Sequence, residues 1–151
     1  MTIEDRFAIH ELCYAFGYHF DRGSIADWAD CFTPDGVFDE SEIGEGLKVG
    51  REELIAYGTA GRAAFEHTFH NVTGIYLNEL TGDTARATVY TIADVQGDDA
   101  GHIRVQCLYE DELARTATGW KFAKRVVRRT LDPEFVPTQT REWTGSGAPA
   151  R

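Results

Sequence analysis

The first twenty residues place apolar side chains at Phe7, Ile9, Leu12, Cys13, Phe16 and Phe20, a pattern that covers much of a helix surface. Thr2 followed by Asp5 forms a capping box, so helix one is expected to run from there to about Asp21, with Gly23 breaking it. Ser24 and Asp27 can cap a second short helix in SIADWADCF, which buries Trp28, Cys31 and Phe32. Thr33-Pro34-Asp35-Gly36 is a turn signal. After it, VFDE reads as a short strand, and the glycine-rich SEIGEGLKVG reads as a loop or irregular hairpin at a pocket rim. Helical periodicity returns from Arg51 to about Glu66, with Leu54, Ile55, Tyr57 and Ala60 to Phe65, although Gly58 and Gly61 are poor helix formers.

From His67 onward the period drops to two. Four long strands follow, HTFHNVTGIYLNE, TARATVYTIADVQ, GHIRVQCLYEDELAR and GWKFAKRVVRRTL, separated by the short breaks Thr81-Gly82-Asp83, Gly97-Asp98-Asp99 and Thr118-Gly119. Breaks this short favour hairpins, so the strands should be antiparallel. Helices first and a meander last define an α+β domain, a curved antiparallel sheet packed against N-terminal helices around an apolar pocket. That domain is expected over residues 1–132. The tail, residues 133–151, is rich in Gly, Pro and Ser, and is expected to be partly mobile or to dock on the domain or a neighbouring subunit, with Trp143 as its anchor.

A chain of 151 residues with 42% hydrophobic and 26% charged residues is ordinary globular composition for one domain. Its net charge of −10 repels phosphate backbones and anionic lipid, which argues against nucleic acid or a membrane as partner. No apolar run approaches a membrane span and MTIEDRFAIHE lacks a signal-peptide pattern, so a cytoplasmic location is expected. Cys13, Cys31 and Cys107 are odd in number and sit among apolar neighbours, which fits buried thiols rather than a disulfide frame.

His70 lies in T-F-H-N-V-T-G on the first strand of the meander. On a regular strand it shares a face with Val72, Gly74 and Tyr76, and Gly74 would leave room beside a ligand. Alone, it reads more readily as a satisfied core or edge histidine. Asp21 ends an apolar helix, where the helix dipole disfavours a carboxylate; an Asx turn is one explanation and function another. Tyr14 and Tyr18 precede it on the same helical side and could donate hydrogen bonds to a substrate. His67 and His70 form an HxxH, but three-residue spacing on a strand sends them to opposite faces, and no metal site can be assembled.

The order of elements, together with Y-H-F-D-R-G-S-I-A-D-W-A-D-C-F-T-P-D-G-V-F-D, T-F-H-N-V-T-G and G-W-K-F-A-K-R, resembles the SnoaL-like branch of the nuclear transport factor 2-like superfamily over residues 3 to 131. Within it the chain is most similar to the scytalone dehydratase and lindane dehydrochlorinase families. The resemblance implies a cone-shaped fold, and a general-base pair in which Asp21 orients His70. It places Arg125 where the dehydrochlorinase directs an Arg toward its leaving group, whereas Phe16 occupies the position of that enzyme's Lys and argues against a halide-leaving reaction.

The function expected is a cofactor-independent lyase, dehydratase-like, acting on a small, apolar, oxygenated molecule, aromatic ones included. His70 and Asp21 would be catalytic, with Tyr14, Tyr18 and Arg125 substrate-binding. An isomerase or polyketide-type cyclase using the same base is the alternative, and a non-catalytic ligand-binding or assembly module is the alternative from another class. A homo-oligomer is implied by the resemblance, trimer before dimer.

Overall fold

The computed structural model describes residues 2–97 and 101–136, with Phe135 and Val136 placed as backbone. The N-terminal capping box closes α1 (Ile3–Asp21) as the sequence predicts: the Thr2 hydroxyl accepts from the Asp5 backbone N–H at 3.2 Å, and the Asp5 carboxylate accepts from the Thr2 N–H. Asp5 also receives Arg115 at 2.7 Å and the Trp120 indole N–H at 3.3 Å, so the helix start is pinned to the far end of the sheet. Ser24 caps α2 (Ile25–Ala29) by accepting from the Asp27 N–H at 3.0 Å.

Chain reversal after α2 differs from the expected turn. Thr33 to Gly36 lie inside β1 (Phe32–Glu40), because pairing with the neighbouring strand resumes after a bulge: Phe32 opposes Phe122 and Val37 opposes Lys124. A 3₁₀ turn at Ser41–Ile43 leads into β2 (Gly46–Val49), which returns antiparallel on β1 as the irregular hairpin. Then comes α3 (Gly50–Ala64). Its two weak helix formers have a packing role. A Cβ at Gly58 would lie 2.9 Å from Ile25 Cγ2, and one at Gly61 would lie 3.3 Å from the Phe20 ring, so both glycines admit α3 against α2 and the end of α1.

Four long strands complete the domain: β3 (His67–Leu80), β4 (Thr84–Gly97), β5 (Gly101–Thr116) and β6 (Gly119–Arg129). The sheet order is β2-β1-β6-β5-β4-β3, antiparallel throughout except that β1 runs parallel to β6, a pairing made by a long crossover and invisible to the hairpin argument. The start of the expected tail adds β7 (Glu134–Val136), which pairs with β5 beyond the end of β6. Trp143 lies outside the described residues.

The helices cover one face of the curved sheet, and the core between them is unusually aromatic. Phe16 stands at its centre, its ring within 6.0 Å of the ring centroids of Trp28, Phe32, Phe38, Tyr109 and Phe122. Burying such rings supplies both apolar area and edge-to-face contacts. The three cysteines are free and buried, and burial pushes their thiols up, Cys13 to about 12 and Cys31 and Cys107 to about 11, which makes them inert packing groups. No helix among the described residues is long and apolar enough to cross a membrane.

Candidate active site

Asp21, the last residue of α1, reaches across to β3 and grips His70 twice. Oδ1 meets the ring Nδ1 at 2.7 Å, and Oδ2 accepts the His70 backbone N–H at 2.6 Å. The approach depends on Gly17, one turn earlier on α1, where a Cβ would stand only 3.1 Å from the His70 Cβ. No spacing rule would single out Gly17, since its neighbour is 53 residues away in sequence.

Burial pushes the Asp21 carboxyl upward, but the ring, charge and backbone N–H of His70 outweigh it and hold the group below the ordinary carboxylate range. An ionised carboxylate only accepts, so Nδ1 carries the proton, and of the two neutral tautomers it selects the one whose Nε2 has a free lone pair. The pair is mostly buried, with 14% of the His70 side chain and 9% of the Asp21 side chain exposed, and the His70 ring lies edge-on to Phe20 at 5.2 Å between centroids. An imidazole is thus oriented by a carboxylate and walled by an aromatic ring, with a small part of its side chain exposed.

Three expectations about the surroundings require correction. First, Tyr14 and Tyr18 are 49% and 62% exposed. The inward face of α1 is set by Ile9, Cys13, Phe16 and Phe20, and both tyrosines stand on the opposite side, so the fold does not bring them to the dyad. Second, β3 is not regular. A bulge between Val72 and Gly74 flips the alternation, so that Ile75 packs on the core, Tyr76 is 66% exposed, and Gly74 lies beside the Tyr90 ring. Third, the interior next to the dyad is filled by Phe16, whose ring centroid is 6.4 Å from that of His70. A groove of about 370 Å³ lies instead among Asn78, Arg86, Glu110, Glu112, Lys124 and Arg128, where charged side chains alternate with those of the core.

Arg125 is fully buried on the far side of Phe16. Its Nε and Nη2 donate to the two carboxylate oxygens of Asp111 at 2.7 and 2.6 Å, and three rings cover it, those of Phe122 at 3.8 Å and of Phe16 and Tyr109 at 4.3 Å. The Asp111 charge, itself buried, raises the affinity of the guanidinium for its proton against the opposing effect of burial. Only Nη1 has no partner. Sequence reasoning named Arg125 but missed Asp111, whose alternation on β5 marks it as inward-facing among Tyr109 and Leu113 and therefore in need of a counter-charge. It also missed Thr91, a buried residue on β4 whose hydroxyl has no partner. Thr91 pairs with Val72 and sits two residues from Ala93, the direct neighbour of His70, so hydroxyl and imidazole share one face of the sheet.

A second buried polar group closes the β1–β2 edge. Lys48 donates to Glu40 at 2.8 Å and lies 3.7 Å from the centroid of the Tyr57 ring. Burial pushes the Glu40 carboxyl up despite Lys48 and Tyr57. Among the described residues, no cluster of three or more His, Cys, Asp or Glu side chains is spaced to hold a metal ion.

An α+β cone with helices packed against one face of its sheet is the fold of a solved nuclear transport factor 2-like protein from Novosphingobium aromaticivorans, 21% identical, covering 85% of this chain and 83% of its own, with a TM-score of 0.73. The family described as the SnoaL-like domain matches residues 1–126, and the chain belongs to it. Among solved structures, a protein from Novosphingobium aromaticivorans named as an aromatic ring hydroxylase is 32% identical, covering 90% of this chain and 96% of its own, with a TM-score of 0.85. A protein from the same organism named for scytalone dehydratase is 17% identical over 91% of each chain, with a TM-score of 0.80. The hexachlorocyclohexane dehydrochlorinase LinA type 2 is 19% identical over 97% of each chain, with a TM-score of 0.79. The last two likenesses concern the fold. No curated protein matches the sequence.

Proposed function

We propose that the protein is a cofactor-independent lyase of the dehydratase type, acting on a small, apolar, oxygenated and aromatic molecule, with His70 as its general base. The observation that carries this reading is the double grip of Asp21 on His70, which fixes the imidazole and leaves Nε2 free. In the elimination, Nε2 takes a proton from a carbon next to the one that bears a hydroxyl. The electron pair of the broken C–H bond forms the new double bond, the C–O bond breaks, and the hydroxide leaves as water on receiving the proton back from the imidazolium. Asp21 stabilises that imidazolium. Arg125 lies behind the Phe16 ring, so its Nη1 donates to a substrate oxygen only when that ring turns aside, and because Asp111 already balances its charge it then acts as a hydrogen-bond donor more than as an anion trap. The aromatic component follows the name of the relative that is 32% identical, and the ring-lined interior suits it.

His70→Ala, assayed on hydroxylated aromatic compounds by product mass, is expected to lower turnover about 10²- to 10⁴-fold with the fold intact. A fully active variant refutes the mechanism. Loss of one water in the product supports elimination, whereas unchanged mass assigns the same base to an isomerase or cyclase.

Phe16 favours a second reading. Its ring stands between His70 and Arg125, 6.4 Å from one ring centroid and 4.3 Å from the other's Cζ, so a ligand that reaches both must displace it. A binding module without turnover would keep ligand affinity in Phe16→Ala and show no product with either protein.

A further inference from the structure

An ionised aspartate at the C-terminal end of a helix sits where the aligned peptide dipoles are negative, and where the last carbonyls lack intrahelical partners. Asp21 occupies that position, and α3 brings the compensation. Arg62 donates from Nη1 to the Gly23 carbonyl at 2.7 Å and from Nη2 to the carbonyls of His19, at 2.6 Å, and Phe20. These three oxygens bracket Asp21 on both sides in sequence. The guanidinium reaches them because Gly58 and Gly61 let α3 lie against α2 and the end of α1, with Arg62 next to Gly61. A charged side chain partly buried at this junction, spending its two terminal nitrogens on the backbone of one turn, fixes the direction in which that turn presents its next side chain.

We propose that Arg62 is a positioning residue for the Asp21–His70 pair: it clamps the end of α1 through the carbonyls on either side of Asp21 and so sets the direction in which that carboxylate meets His70. The inference rests on the general-base reading, because it assigns Arg62 a role through Asp21 and none in touching substrate. Its consequence is electronic as well as mechanical. Without the clamp, the carboxylate loses its aim at Nδ1, and the proton on that nitrogen is no longer held.

The test compares the whole protein with Arg62→Met and Arg62→Lys, following the hydrogen-bonded Nδ1–H proton of His70 by NMR, with urea unfolding recorded in parallel. In the unaltered protein, that proton is expected as a downfield, slowly exchanging resonance that Asp21→Asn abolishes. Arg62→Met is expected to lose the resonance while the chain remains folded, and Arg62→Lys to retain it with faster exchange, since an ammonium cannot span three carbonyls in the same fork. A folded Arg62→Met with an unaltered resonance overturns the proposal, whatever its stability. If Arg62→Met does not fold, Arg62→Lys decides: a resonance exchanging as in the unaltered protein overturns the proposal, and a faster one supports it. This readout does not depend on turnover, so an active His70→Ala would refute the general-base mechanism while leaving the clamp on Asp21 measurable.

Discussion

Asp21 holds Nδ1 of His70 through a carboxylate that can only accept, and this selects the neutral tautomer whose other nitrogen is free. Asp21→Asn leaves the volume and loses the enforcement, so turnover is expected to fall about 10²- to 10⁴-fold at neutral pH, with urea stability changing far less. Arg125 and Asp111 behave in the opposite way, since both are fully buried and each is the other's counter-charge. Arg125→Met is expected to destabilise the fold by about 3–5 kcal/mol by stranding Asp111, and Arg125→Met with Asp111→Leu to recover most of that loss, as read from urea midpoints. Asp21 and His70 were legible in the sequence only as a pair within a recognisable frame. Tyr14 and Tyr18 were misplaced because a spacing measured from Asp21 ignores that the helix turns its Phe16 and Phe20 side to the core.

Helix α1 bears the dyad at one end and the Asp5 network at the other, and its placement against β3 and α3 depends on glycines. Gly58→Ala improves intrinsic helix propensity, yet its methyl would meet Ile25 and Trp28 at 2.9 and 3.2 Å. The overpacking, about 1–3 kcal/mol, is expected to exceed the propensity gain, so the variant unfolds at lower urea than the parent. Gly17→Leu is expected to separate α1 from β3 and to remove the His70 Nδ1–H resonance as Asp21→Asn does. The four meander strands and the three helices were predicted within a few residues of where they form, because period and caps are local signals. The bulges in β1 and β3 and the parallel pairing of β1 with β6 were not, since each is a register choice made between strands far apart in sequence.

For the molecule as a whole, acid stability should report on Asp5. The hydrogen bond from Arg115 is the largest effect on its carboxyl, which is held at about 2 against an ordinary value of 3.8. A depressed carboxylate stabilises the fold fully above its unfolded-state value and loses that contribution as pH falls through the folded one. Urea midpoints are therefore expected to drop between pH 4 and 2, and Asp5→Asn to flatten that drop. The outward aromatic residues Phe69, Tyr76 and Tyr90 on β3 and β4 suit the homo-oligomer that the resemblance implies. Sedimentation at micromolar concentration is expected to show a species larger than one chain, with a monomer contradicting it.

Periodicity, caps and turn residues were enough to specify an α+β chain with its helices before its sheet, because these patterns act over a few residues and need no knowledge of distant partners. Reading Asp21 and His70 as a pair needed one further ingredient, a frame into which they fit together. Tertiary packing settled the rest. Phe16 fills the space between His70 and Arg125, Asp111 takes most of the Arg125 guanidinium, and Arg62 closes the end of α1 around Asp21. The longest of these contacts joins Phe16 to Arg125, 109 positions apart, and side-chain geometry at such separations is decided by packing, which no local pattern encodes.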